Sequence, residues 1–178
     1  MSTLETNLVQ PSTGTSLTLG ASGDTITIPS GATITNSGTA TGFGANTPAF
    51  SVKSSSAKTI PNETLTKLSF GTEVYDTDSA FASDKFTVPS GKAGKYFFLA
   101  SWQTSLSTDF NQQAIYFYKN GSQDYLVRGF HDHYGSIQIL KTIDLSVGDY
   151  IEVYAYQNSG SSLDTENTEI FQGYKIIE

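Results

Sequence analysis

Gln112-Gln113-Ala114-Ile115-Tyr116-Phe117-Tyr118-Lys119, then Asn120-Gly121, then a second run through Asp124-Tyr125-Leu126-Val127-Arg128-Gly129, is the stretch that decides the fold. Aromatic and β-branched residues suit a pleated, half-buried strand. Asn-Gly between two such runs is a strong hairpin signal, because the turn that matches strand twist needs positive φ at both central residues. Ser146-Val147-Gly148-Asp149 is a second turn of the same kind. Working outward, strands are expected at 49–53, 65–70, 71–76, 85–88, 95–103, 112–119, 124–129, 136–144, 150–157 and 169–177. No segment carries a convincing helical period. Gly129 and Gly173, in or beside strands, point to bulges or close packing. About ten short strands with such turns imply an all-β, antiparallel sandwich.

The first 45 residues are built differently. They hold one aromatic (Phe43) and two charges (Glu5 and Asp24) in a chain of 178 residues. Their large aliphatics are Leu4, Leu8, Val9, Leu17, Leu19, Ile26, Ile28 and Ile34. Ordering each residue costs about 1–2 kcal/mol of backbone entropy. Each large aliphatic returns only about 1.5–3 kcal/mol when fully buried, and most residues here contribute none. One copy therefore lacks the means to hold this segment in a fixed shape. Yet Leu17-Thr18-Leu19 and Ile26-Thr27-Ile28 alternate with period two, and Ile34 follows at a similar spacing. Gly20, Pro29-Ser30-Gly31, Gly38 and Gly42 punctuate the repeats. The pattern suits a thin β fibre whose core is shared between chains; a flexible Ser/Thr/Gly linker is the other reading. The first eleven residues, with Leu4, Leu8 and Val9, suit an attachment peptide.

Bulk properties exclude several functions. A formal charge of −7 disfavours nucleic acid and anionic membrane surfaces as partners. With no cysteine there is no disulfide framework, thiol nucleophile or cysteine metal site. The first 30 residues lack a basic segment followed by an apolar run, so no leader and synthesis in the host cytoplasm are expected. No stretch approaches the roughly 20 apolar residues of a membrane span.

One spacing pattern and four motifs carry a family resemblance. Phe70, Asp76, Phe81, Phe86, Gly94, Tyr96 and Phe98 follow the order of the globular head of complement C1q, a jelly roll of the tumour-necrosis-factor-like kind. Pro48-Ala49-Phe50-Ser51-Val52 resembles that family's first strand, and Phe117 to Gly121 its central hairpin. Leu145-Ser146-Val147-Gly148-Asp149-Tyr150-Ile151 resembles its L-x-x-G-D-x-V turn. Phe171-Gln172-Gly173-Tyr174 resembles its last strand, aromatic-x-Gly-aromatic. The match covers residues 48–178. It departs in the short Phe81–Phe86 gap, the long Phe86–Gly94 loop and Ala100, where an aromatic is common. The resemblance implies a C1q/TNF-like jelly roll that assembles as a homotrimer, with one sheet packed about the three-fold axis. No Gly-X-Y repeat is present, so a trimeric β-fibre segment over residues 1–45 would take the place of a collagen stalk. Thr/Gly-rich repeats of low charge resemble those of bacteriophage fibres.

In the family topology three loops reach the tip remote from the stalk: 104–111, 131–135 and 158–167. They carry Asp109, Phe110, Asn111, His131, Asp132, His133, Tyr134, Asp164 and Glu166. The resemblance implies receptor binding there, and some family members hold calcium at this tip through oxygen ligands. His131 and His133 are the only histidines. In a strand they share a face, and near a three-fold axis they would offer six imidazoles to one tip metal ion; solvent-exposed loop histidines are the plainer reading. No nucleophile elbow or phosphate loop occurs, so no enzyme is expected. Asp76 and Asp78 form a nominal carboxylate pair but suit a turn cap better. Asn62-Glu63-Thr64 and Asn120-Gly121-Ser122 read as chance sequons, and Trp102, in phase with Phe98 and Ala100, as core.

These readings converge on a homotrimeric virion fibre or appendage. Residues 1–45 attach to other virion proteins and trimerise, and residues 46–178 form a knob for a host cell-surface glycan or protein. The alternatives are a cellular C1q-like lectin or adhesin and a decoration protein without receptor binding.

Overall fold

The computed structural model describes residues 9–11, 13–35, 37, 46–104, 110–131 and 135–177, with backbone alone for Phe110, Asn111 and His131. The chain divides into two units, Met1–Phe43 and Gly44–Glu178.

In the first unit the described residues form tight turns and no strand. The Ala21 N–H donates to the Asp24 carboxylate at 2.7 Å, and the Asp24 N–H returns to the Ala21 carbonyl at 3.1 Å. Pro29 to Ala32 closes a second turn at 3.1 Å. Leu17, Leu19, Ile26, Ile28 and Ile34 are all exposed. The expected strands are therefore not formed by one copy. A strand needs a neighbour for its N–H and C=O groups, and this unit has too little apolar surface to hold one.

The second unit is all-β, with thirteen strands and no helix among its described residues. They are β1 (Ala49–Lys53), β2 (Thr59–Ile60), β3 (Thr66–Lys67), β4 (Thr72–Asp76), β5 (Phe81–Ala82), β6 (Lys85–Thr87), β7 (Gly94–Gln103), β8 (Phe110–Lys119), β9 (Ser122–His131), β10 (Ser136–Leu145), β11 (Tyr150–Gln157), β12 (Leu163–Asp164) and β13 (Ile170–Ile177). Each of the ten expected strands has a counterpart. The three additional ones, β2, β5 and β12, are two residues long, too short to show a period. A five-stranded sheet runs β10-β7-β13-β1-β4, and a second runs β5-β6-β11-β8-β9 with β3 also on β11. Every pairing is antiparallel.

Between the sheets lies a phenylalanine core. The Phe50 ring stacks on Phe86 at 5.0 Å and meets Phe171 edge-on at 4.9 Å, joining the two layers. Trp102 is buried, and its indole N–H donates to the Ala114 carbonyl across the sandwich at 3.1 Å. The glycine of the aromatic-x-Gly-aromatic motif has a steric cause. A Cβ on Gly173 would lie 2.5 Å from Phe98 Cδ1 and 2.7 Å from the Phe97 carbonyl oxygen. Only glycine lets β13 approach the Phe98 ring this closely.

Candidate functional site

The antiparallel register sorts the loops by end. β7, β9 and β1 finish at the end of the sandwich where β8, β10 and β13 begin, as the pairs Phe110↔His131, Ser136↔Gln103 and Lys53↔Ile170 show. β11 also finishes there, and Thr104 bridges to Thr165. The C-terminal end of β13 lies at the opposite end.

At the C-terminal end, two turns legible in the sequence lock together. Asn120 (φ 53°) and Gly121 (φ 77°) make the β8–β9 hairpin. Asn120 Nδ2 donates to Asp149 Oδ1 at 2.7 Å, and the Tyr150 N–H donates to Asn120 Oδ1 at 2.9 Å. Lys119 pairs with Asp149 at 2.9 Å, and the Ser146 N–H donates to it at 2.9 Å. Three donors on one carboxylate favour its ionised form. Its pKa falls to about 2, the Asn120 hydrogen bond being the largest cause and Lys119 next. Nearby, Asp76 accepts from the Ala80 and Phe81 N–H groups at 3.0 and 2.8 Å, so it caps a turn. Asp78 lies 3.4 Å from Lys92. Tyr96 donates to the Lys92 carbonyl at 2.5 Å, and burial, then the Asp78 charge, push its pKa up to about 12. The amides of Asn62 and Asn120 both make protein hydrogen bonds, consistent with chance sequons.

At the tip end the structure places part of the expected set. Phe110 and Asn111 open β8, and His131 closes β9. Asp109, Asp132, His133 and Tyr134 lie outside the described residues. Asp164 is exposed on β12, where its carboxylate accepts from the Thr59 hydroxyl at 2.6 Å. Glu166 is exposed, and its N–H donates to the Gln103 carbonyl at 3.0 Å. No group of three or more His, Cys, Asp or Glu able to hold a metal occurs among the described residues.

Beneath these loops lies a polar layer that sequence reasoning missed. Thr104, Gln113, Gln157, Thr165, Glu169 and Ser54 are all buried. Gln157 donates to the Ile60 and Ser161 carbonyls at 2.9 and 2.8 Å. Both carboxylate oxygens of Glu169 have no hydrogen-bond partner among the described residues. Neither do the side-chain oxygens of Ser54, Thr104 and Gln113. Ser54 lies opposite Glu169 where β1 ends and β13 begins, its N–H donating to the Glu169 carbonyl at 3.0 Å.

The outward faces of the two sheets also escaped the sequence. On the five-stranded sheet the register aligns Leu140, Leu99, Gln172, Ser51 and Tyr75 in one row. Thr142, Phe97, Tyr174 and Ala49 form the next. Leu140 is 51 % and Tyr174 42 % exposed, so this face presents apolar side chains among Gln172, Ser51 and Thr142. The other sheet turns tyrosines outward. Tyr154 and Tyr118 rings lie 4.5 Å apart, and Tyr116 meets Tyr118 edge-on at 6.4 Å. Lys67 and Glu152 close over this face at 2.8 Å, and Lys85 sits 4.5 Å above the Tyr150 ring. Burial, reinforced by Glu152, raises the Tyr154 pKa.

No family model and no curated protein matches the chain. Solved structures do. The globular domain of zebrafish complement 1qA aligns over 74 % of this chain and 98 % of its own, at 15 % identity and TM-score 0.54. Murine APRIL aligns over 72 % and 98 %, at 13 % identity and TM-score 0.56. Eiger TNF from S. frugiperda aligns over 73 % and 92 %, at 10 % identity and TM-score 0.52. The second unit has the C1q/TNF-like jelly-roll fold.

Proposed function

We propose that the chain is a homotrimeric adhesive appendage. Residues 1–45 attach and trimerise it, and the jelly-roll head presents its tip to a host surface. The observation that carries this reading is unburied apolar surface in both units. The aliphatic repeats of the first unit are exposed in one copy, and so are Leu140 and Tyr174 on the outward face of the five-stranded sheet. A contiguous apolar sheet face is what an intersubunit contact covers. The resemblance to C1q-like heads supplies the number three. The role is binding rather than catalysis, with other virion proteins at the N-terminal segment and a host glycan or protein at the head. Weak sites repeated on each trimer, and on many trimers per particle, gain avidity through effective concentration.

A cellular C1q-like adhesin fits the fold equally well. The low-charge Thr/Gly repeats of residues 17–34 favour the virion fibre. Two experiments test the reading. Immunogold imaging of virions with antibody to the head should label a fibre or appendage. Purified full-length chain should saturate host cells at micromolar concentration or below. Absence of label would remove the virion role. Labelled particles with no cell binding would leave a decoration protein.

A further inference from the structure

We propose that the outward face of the six-stranded sheet is a binding site for a saccharide bearing a carboxylate, centred on Arg128, Phe130 and Tyr156. The inference rests on the adhesion reading and names its partner class. Alternation along β9 puts Leu126, Arg128 and Phe130 on the outward side, because Val127 between them packs against the core. Register then sets Arg128 beside Ala114 and Ala114 beside Tyr156, while Leu126, Tyr116 and Tyr154 form the adjoining row. Phe130 lies two residues beyond Arg128, about 7 Å along the strand, and is 79 % exposed, the most exposed large hydrophobic among the described residues.

Arg128 is the only arginine of the chain. It is exposed and makes no ion pair among the described residues, whereas Lys67, Lys92, Lys95, Lys119 and Lys141 are each paired with a carboxylate. In a chain of net charge −7 this is a guanidinium with no carboxylate partner among the described residues, beside the exposed Phe130 and the half-buried Tyr156. A planar fork of donors matches a carboxylate with two parallel hydrogen bonds. Aromatic rings supply a flat apolar surface with polar edges, which suits the C–H face of a pyranose. The site is a sheet face rather than a groove, and a sugar ring can lie flat on it. The guanidinium attracts the acid locally, against the long-range repulsion of a chain of net charge −7. Pointing away from the apolar sheet face, the site stays open when that face is covered by other copies.

The test is calorimetric titration of the full chain with two acidic probes, each against its neutral counterpart. These are a galacturonate tetramer against its carboxyl-reduced form, and sialyl-lactose against lactose. At least one acid should bind roughly 10-fold or more tighter than its counterpart. Arg128→Gln should remove that preference and Arg128→Lys restore part of it, while Phe130→Ala weakens acidic and neutral sugars alike. Circular dichroism of the variants should stay unchanged, since both side chains are exposed. Equal binding of both pairs, no binding of any, or Arg128→Gln behaving as wild type overturns the assignment. Cell binding that survives periodate oxidation of surface glycans also overturns it and points to a protein receptor, leaving the adhesion reading standing.

Discussion

The two sheets obey the same alternation, yet their outward faces have opposite chemistry. The face of β10-β7-β13-β1 turns Leu140, Leu99, Phe97 and Tyr174 to the outside. The face of β11-β8-β9 turns out tyrosines bridged by Lys67–Glu152, and Arg128, which has no ion-pair partner among the described residues. Hydroxyls, ammonium and carboxylate groups keep the second face wetted, so water or a polar ligand satisfies it. The first carries exposed apolar side chains around the Ser51–Gln172 pair, and burial against like surface lowers its free energy. The proposed assembly face and the proposed display face thus belong to different sheets. The division follows from which strands alternate aliphatic residues outward and which alternate tyrosines.

The comparison breaks most visibly at the assembly face. Leu140→Asp places a charge in the contact but leaves the core untouched, since Leu140 is exposed in one copy. Sedimentation should show the trimer replaced by single chains, with association weakened more than about 100-fold. Gly173→Ala is next. Its methyl would meet the Phe98 ring and the Phe97 carbonyl, displacing the strand that carries Tyr174 outward. Urea titration should show a loss of about 3 kcal/mol. Glu169→Gln probes the tip end instead. It removes a buried carboxylate without a hydrogen-bond partner among the described residues, and should raise stability by about 2 kcal/mol. Tyr154→Ala sharpens the contrast from the display side. It should cost about 1 kcal/mol of cross-strand ring contact and leave the sedimentation profile unchanged.

The smallest effect is acid-dependent. Asp149 has a pKa of about 2 in the folded chain, below its ordinary value. A depressed carboxylate pKa contributes stability above the ordinary range, and that contribution is lost as pH falls from near 4 toward 2. Asp149→Asn should therefore flatten the acid limb of the stability curve in that window and change little at pH 7 beyond the lost hydrogen bonds. Solvent screening keeps the pH-dependent part below about 1 kcal/mol.

The legible parts of the fold were those with local chemistry. Asn120-Gly121 and Val147-Gly148-Asp149 announce turns because few residues accept positive φ, and those turns fixed the hairpin and the start of β11. β1 and β11 match expectation end to end, as alternation runs unbroken through Phe50 and Val52 and through Ile151, Val153 and Ala155. β2, β5 and β12 were invisible because a two-residue strand has no period and is created by its partner, as Thr59–Ile60 is by Leu163–Asp164. Asp164 read as a loop residue for that reason. Loop order alone grouped the expected tip acids and histidines, of which Asp109, Asp132 and His133 lie outside the described residues. The two outward faces were only latent. Period two places Tyr116 with Tyr118 and Tyr154 with Tyr156, but which side faces solvent depends on pairing between β8 and β11, some forty residues apart in sequence. Glu169 gave no signal at all, since its burial comes from tertiary packing, Ser54 being more than a hundred residues away in sequence.

The central claim is that the apolar face through Leu140, Leu99 and Tyr174 joins three copies. Equilibrium sedimentation of the full-length chain at micromolar concentration, with Leu140→Asp alongside, tests it most directly. The account predicts a mass three times that of one chain for the wild type and a single-chain mass for the variant. A wild-type chain that sediments as a stable monomer, or a variant that remains trimeric, would contradict it.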